Sequence, residues 1–174
     1  KEVYPDFEVR LRDPIQQSIL FRDPIQQDAY LRDPIQQDIL FTDPENGITC
    51  AVGRAGGPKD GSTNESAVWV MDTGVQLDHP ELNVETDPAL AVSFIPGEIV
   101  DDLHGHGTHV AGIIGAKQNG IGVTGVSAGA RIIPVKVLEN SGRGTWSYLL
   151  LGLDHVAQYS LEGDVVNLSL GAYD

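Results

Sequence analysis

The sequence predicts an α/β fold: a mostly parallel sheet with helices on both faces. Three observations predict it. Short apolar runs alternate with helix-length segments from Ala67 onward, the runs are too short to span a membrane, and the order strand–helix–strand–helix–strand calls for parallel pairing with helices covering the sheet. Ala67 to Met71 is the first such run, and Ala91 to Ile95 is a second candidate strand. His106 to Ala116 reads as a helix with small residues on one face, and Arg131 to Leu138 as a strand rich in Ile and Val. Thr145 to Gln158 reads as a helix whose stripe is Leu149, Leu153 and Val156, and Val165 to Leu170 as a further strand. Functional residues of such sheets collect at the carboxyl ends of strands, which is where Asp72 falls.

Composition narrows the partners. The 174 residues suffice for one domain with a real core, and 41% hydrophobic with 21% charged residues is ordinary for a soluble globular protein. The net charge of −14, from 25 acidic against 11 basic residues, argues against a nucleic-acid partner and against docking on an anionic membrane. The single cysteine, Cys50, excludes an internal disulfide and a multi-thiolate metal site. Lys1 to Val9 has no apolar stretch of the kind a secretory leader carries, which does not in itself argue for a cytoplasmic home.

The chain divides into three segments: 1–46 repetitive, 47–66 a linker, and 67–174 the folded α/β part. LRDPIQQSIL, FRDPIQQDAY and LRDPIQQDIL follow one another at a ten-residue period, and FTDPEN begins a degenerate fourth copy. Each unit joins a short apolar stretch (Ser18–Phe21, Asp28–Leu31, Asp38–Phe41) to an Asp-Pro turn signal. Proline lacks an N–H and biases its predecessor away from helix, so extended segments punctuated by turns are expected. Two readings stand side by side: a pro-segment or linker, or a set of docking or cleavage segments that add a strand to an exposed edge, with tandem copies raising the local concentration. The stretch 47–66, GITCAVGRAGGPKDGSTNES, is rich in Gly, Ser and Pro and reads as flexible.

Three stretches carry chemistry: VMDTGVQLDHPEL (Val70–Leu82), HGHGTHVAGIIGA (His104–Ala116) and VVNLSLGA (Val165–Ala172). Nucleophilic hydrolysis by serine needs a base that takes its proton, and that base needs a partner that fixes its tautomer. An acid at a strand end and a histidine at a following helix start suit those roles, and Gly105 and Gly107 leave room for backbone beside His106. Other readings are weaker. Gly125-Val126-Ser127-Ala128-Gly129 fits a nucleophile-elbow pattern, yet a strand follows it where a helix should. Asp72-Thr73-Gly74 also fits an aspartic protease, which leaves His-Gly-Thr-His unexplained. His104, His106 and His109 lack the spacing and the Glu of a zinc helix; the plain alternative is one catalytic and one packed histidine, with His104 exposed.

Over roughly three-fifths of the chain these motifs resemble the subtilisin-like serine proteases. Asp-Thr-Gly followed by Asp-His-Pro resembles the surroundings of the family's catalytic aspartate and places it at Asp72. His-Gly-Thr-His-Val-Ala-Gly resembles the surroundings of its catalytic histidine and places it at His106, with His109 structural. The resemblance implies an endopeptidase acting on a polypeptide substrate, laid as a strand between Gly142, Arg143 and Gly144 on one side and Ser169, Leu170 and Gly171 on the other. It implies a structural calcium site in Lys117–Val123, with the Asn119 side chain, the carbonyls of Lys117, Ile121 and Val123, and Glu81 where the family more often has Asp. It also implies an extracellular location. The family's Gly-Thr-Ser-Met-Ala stretch, which holds the nucleophile, is not in this sequence, nor is its oxyanion-stabilising asparagine. The chain alone is therefore expected to be inactive, with a C-terminal remainder of the same domain as partner; a non-catalytic pseudoprotease or peptide-binding module built around the repeats is the alternative. Half a sheet would also expose an apolar edge.

Overall fold

The computed structural model describes residues 8–11, 41–43 and 45–171. Most of the decapeptide repeats, with the turns expected of them, lie outside the described residues. The strands are β1 (Glu8–Leu11), β2 (Phe41–Asp43), β3 (Ile48–Thr49), β4 (Lys59–Asp60), β5 (Val68–Asp72), β6 (Asn83–Val84), β7 (Val92–Ser93), β8 (Ser127–Ala128), β9 (Arg131–Lys136), β10 (Arg143–Thr145), β11 (Val165–Asn167) and β12 (Leu170–Gly171). The helices are α1 (Cys50–Arg54), α2 (His106–Gly115) and α3 (Trp146–Tyr159).

The main sheet runs β11-β5-β9-β6, with β7 also on β9, and every pairing in it is parallel. Parallel neighbours need a crossover, and α2 lies between β5 and β9 in the chain as α3 lies between β9 and β11. The side-chain period of two then sorts the core into two faces. Trp69 and Met71 of β5 and Ile133 and Val135 of β9 pack with Leu149 and Val156 of α3. Val70 of β5 and Ile132 of β9 pack with Val110 and Ala111 of α2. Helices thus cover both faces, as the α/β pattern requires.

Several expected elements differ in detail. Only Val92 and Ser93 of the 91–95 run pair in the sheet. Leu153 is an exposed member of the expected α3 stripe, and Gly152 faces the sheet beside Met71 and Val137, so the helix packs through a small residue. The 165–170 run splits: β11 pairs with β5, whereas β12 belongs to a separate three-stranded sheet, β10-β1-β12. The expected linker 47–66 contains β3, α1 and β4. Thr49 caps α1 by accepting from the Val52 N–H, Val52 is buried, and β4 pairs with β8. The Thr124 N–H donates to the Gly47 carbonyl, which ties this stretch to the main body. Local capping and one apolar anchor override a composition that reads as linker.

Candidate active site

Asp72 ends β5 beside Lys136, the last residue of β9. Its side chain is completely buried, and both carboxylate oxygens lie against Nδ1 of His106, at 2.8 and 2.9 Å. The Thr73 N–H also donates to Asp72 Oδ1 at 2.7 Å. His106 is the first residue of α2, half-buried. That helix can start so close to β5 because Gly107 has no side chain: a Cβ there would lie 2.0 Å from the Gly74 carbonyl oxygen. The glycine therefore sets the distance between acid and imidazole.

Two residues that sequence reasoning passed over hold this arrangement. The Asp102 carboxylate accepts from Thr73 Oγ1, the His104 and Gly105 N–H groups, and both the N–H and hydroxyl of Thr108, all within 3.0 Å. It satisfies amides at the start of α2, where an anion is favoured, and pins that helix to the residue after Asp72. Lys136 is fully buried; its Nζ donates to the Thr73 carbonyl at 2.6 Å and to Asn140 Oδ1 at 3.0 Å, and lies 3.2 Å from Glu98 Oε2. A buried ammonium needs such partners. The available signals were a lone Lys inside an apolar strand and a second Asp in the loop before the histidine.

His104, expected to be exposed, is half-buried: its ring stands edge-on to that of His106 at 6.4 Å, and its Nδ1 is shielded from solvent with no hydrogen-bond partner. His109 is half-buried in α2. Ser127 lies in β8, paired with β4, and so is not at a turn from strand to helix.

The two expected substrate walls face each other across a single strand. Glu8–Leu11 pairs antiparallel with β10 (Val9 opposite Gly144, Arg10 opposite Arg143) and antiparallel with β12 (Arg10 opposite Gly171, Leu11 opposite Leu170). Gly142 immediately precedes β10, and Ser169 precedes β12 with its Oγ donating to Asn167 Oδ1. Gly144 is forced by close packing, since a Cβ would meet the Val137 carbonyl oxygen at 2.6 Å.

At the other end of α2, Asn119 Nδ2 donates to Glu81 Oε2 at 2.8 Å, and Asn119 Oδ1 accepts from the Ile121 N–H. The Lys117 N–H donates to the Glu81 carbonyl, and Lys117 Nζ to the Pro80 carbonyl. Glu81 and the loop 117–123 are therefore adjacent, and their donor set of one carboxylate, one amide oxygen and main-chain carbonyls is all oxygen, as a hard cation such as calcium requires. Among the described residues no helix is long and apolar enough to cross a membrane.

Residues 63–174 match the family model described as the Subtilase family. The chain is 42% identical over 106 residues to Subtilisin E of Bacillus subtilis (strain 168), covering 60% of this chain and 26% of that protein. It is 45% identical over 106 residues to Subtilisin BL of Lederbergia lenta, covering 60% and 37%. It is 39% identical over 117 residues to the cuticle-degrading protease of Metarhizium anisopliae, covering 64% and 28%. Among solved structures, a cold adapted subtilisin-like serine proteinase is similar with a TM-score of 0.53 and 34% identity over 64% of this chain and 38% of that one. The matched part thus spans between about a quarter and just over a third of these curated relatives.

Proposed function

The chain belongs to the subtilase family as an N-terminal portion, and from that premise we propose that it supplies the acid and base of a serine endopeptidase whose nucleophile lies outside this sequence. The observation that carries the reading is the buried Asp72 carboxylate with both oxygens on Nδ1 of His106. That bond keeps the proton on Nδ1 and so leaves the lone pair on Nε2. Nε2 accepts the proton of the serine hydroxyl as its oxygen bonds to the substrate carbonyl carbon. The imidazolium so formed is stabilised by Asp72, and the same proton passes to the leaving amine as the peptide C–N bond breaks. General-base help of this kind is worth about 10²–10⁴ in rate.

The rest of the reading follows from where each part lies. Substrate enters as an extended strand between Gly142–Gly144 and Ser169–Gly171, a position that a strand of this chain takes in the structure. A C-terminal remainder of the domain pairs with β11, which among the described residues is hydrogen-bonded to β5 alone and leaves Val165 and Val166 exposed. Calcium is held by Glu81, Asn119 and the carbonyls of Lys117, Ile121 and Val123; when bound it ties the loop after α2 to the loop after β5. The acidic charge favours polypeptide partners over nucleic acid, and we assign the protein to an extracellular setting.

A second reading, a peptide-binding module without catalysis, is favoured by the strand seated between β10 and β12. One experiment separates the two. In the protein extended by its downstream sequence, His106→Ala should abolish burst acylation by an active-site acylating substrate while the fold persists. An undiminished burst refutes the role of His106; no burst from the unsubstituted protein either supports the binding module.

A further inference from the structure

A substrate strand laid on β10 must reach His106 in register, and a displacement of about 1 Å can cost about 10²-fold in rate. Something must therefore fix the wall against the acid and base. Two sets of hydrogen bonds converge on Thr73, which is completely buried. Its N–H donates to Asp72, and its Oγ1 accepts from the Gly107 N–H at 3.1 Å, which holds the start of α2. Its carbonyl accepts from Lys136 Nζ.

Lys136 leads from there to the wall. An ammonium has three N–H donors, and this one meets the Thr73 carbonyl, Asn140 Oδ1 and Glu98 Oε2. Asn140 is gripped a second time, because its own N–H donates to Glu98 Oε2 at 3.0 Å. It lies in the turn that opens β10: the Gly142 N–H donates to the Glu139 carbonyl, and the Glu139 N–H to the Arg143 carbonyl. Arg143 is the first residue of β10. The route Asp72–Thr73–Lys136–Asn140–β10 thus joins the acid to the wall through bonds to a buried charge. Charge-assisted bonds are shorter and about twice as strong as neutral ones. Stability alone does not ask for a lysine here, because apolar side chains of similar volume commonly replace a buried ion pair at no cost.

We propose that Lys136 and Asn140 are positioning residues that hold the substrate wall β10 in register with the Asp72–His106 pair. The proposal rests on reading β10 as one wall of a protease's peptide site. Glu98 balances the buried charge and fixes the Asn140 main chain, so the turn before β10 moves only if the strand end behind the acid moves with it.

The test compares thiobenzyl esters of acetyl-alanine and acetyl-tetra-alanine on the protein extended by its downstream sequence. The two share a scissile bond and differ only in the main chain laid along the wall. Asn140→Ala cuts the route and leaves Lys136 its contacts with Thr73 and Glu98. It should lower kcat/KM for the longer ester about tenfold and for the shorter by less than about twofold. Asn140→Asp keeps an acceptor for Nζ and should restore the longer ester to within about twofold. Lys136→Met/Glu98→Gln removes both charges together, so that neither is left buried alone, and should repeat the length-dependent loss. Equal losses on both esters place the damage in the fold or in the acid–base pair and overturn the proposal, as does no loss on either. Failure of Asn140→Asp to restore the longer ester overturns the role of the bond from Nζ to Asn140. Turnover by the unsubstituted protein with no gain from length overturns the wall, and no turnover of either ester overturns the protease reading beneath it. Should the double variant fold poorly, the two Asn140 variants decide.

Discussion

The two ends of α2 carry similar kinds of groups and treat them differently. At its start, the Asp72 carboxylate is buried and Asp102 takes donors from four residues, so the acid, the loop and the first turn of the helix form one closed network. Beyond its end, Glu81 and Asn119 make an exposed contact of ordinary length, and Ile121 stands in solvent. Buried hydrogen bonds to charge are worth about 1.5–3 kcal/mol each, whereas exposed polar pairs are worth about 0–1 kcal/mol. The difference teaches where geometry is fixed by the fold and where something else must fix it. The contact between Asp72 and His106 is held by the fold itself; the loop 117–123 is where the proposed calcium would add most.

The largest effect should come from attacking the closed end. Gly107→Ala puts a methyl group on the Gly74 carbonyl, a backbone atom that cannot rotate away. The expected cost is about 3 kcal/mol in denaturant unfolding, with loss of the downfield proton resonance of the Asp72–His106 bond. A cost under about 1 kcal/mol with the resonance retained would mean that close backbone approach is not what fixes the pair.

Asp164 is the intermediate case, half-exposed yet anchored by the Ala67 N–H, Trp69 Nε1–H and Leu161 N–H. Partial burial raises its pKa, but those hydrogen bonds outweigh it and hold the carboxyl below its ordinary 3.8. A depressed pKa in the folded state means that the stabilisation is complete above the unfolded value and disappears as pH falls through the folded one. Asp164→Asn should therefore cost about 1 kcal/mol at neutral pH, after discounting for solvent screening. The gap between the two proteins should close below about pH 4. A gap independent of pH would show that packing of β11, not the carboxylate, holds this turn.

How much of this was legible in the sequence follows from the range of the interactions. The α/β order, with its parallel sheet and two helix-covered faces, could be read because alternation and apolar runs are local. Asp72 and His106 could be singled out because each sits in its own short motif, and the structure puts them in contact across 34 positions of chain. Asp102 and Lys136 carry only a faint local mark, a second Asp in the loop before the histidine and a lone Lys in an apolar strand, because their importance lies in what they touch. The pairing of Glu8–Leu11 with strands more than 130 residues away has no local signal in the sequence either. Composition speaks for flexibility in the stretch 47–66, while a single cap, Thr49, and a single buried side chain, Val52, decide otherwise.

The smallest effect belongs to the open end. If Glu81 and the 117–123 loop hold calcium with the roughly millimolar affinity of weak extracellular sites, 10 mM calcium should stabilise the folded chain by about 1.4 kcal/mol. That corresponds to about 3–5 °C in Tm for a chain of this length. Glu81→Gln removes the only acidic donor of the set, keeps an oxygen in place and should erase the shift; magnesium, which demands tighter geometry, should not reproduce it. The closed end sharpens the test, because Gly107→Ala should lower Tm in calcium and in chelator alike and leave the calcium increment unchanged. An increment that survives Glu81→Gln would place the cation elsewhere, and one that falls with Gly107→Ala would mean that the two ends of α2 are coupled, so that the exposed loop helps to hold the acid and base after all.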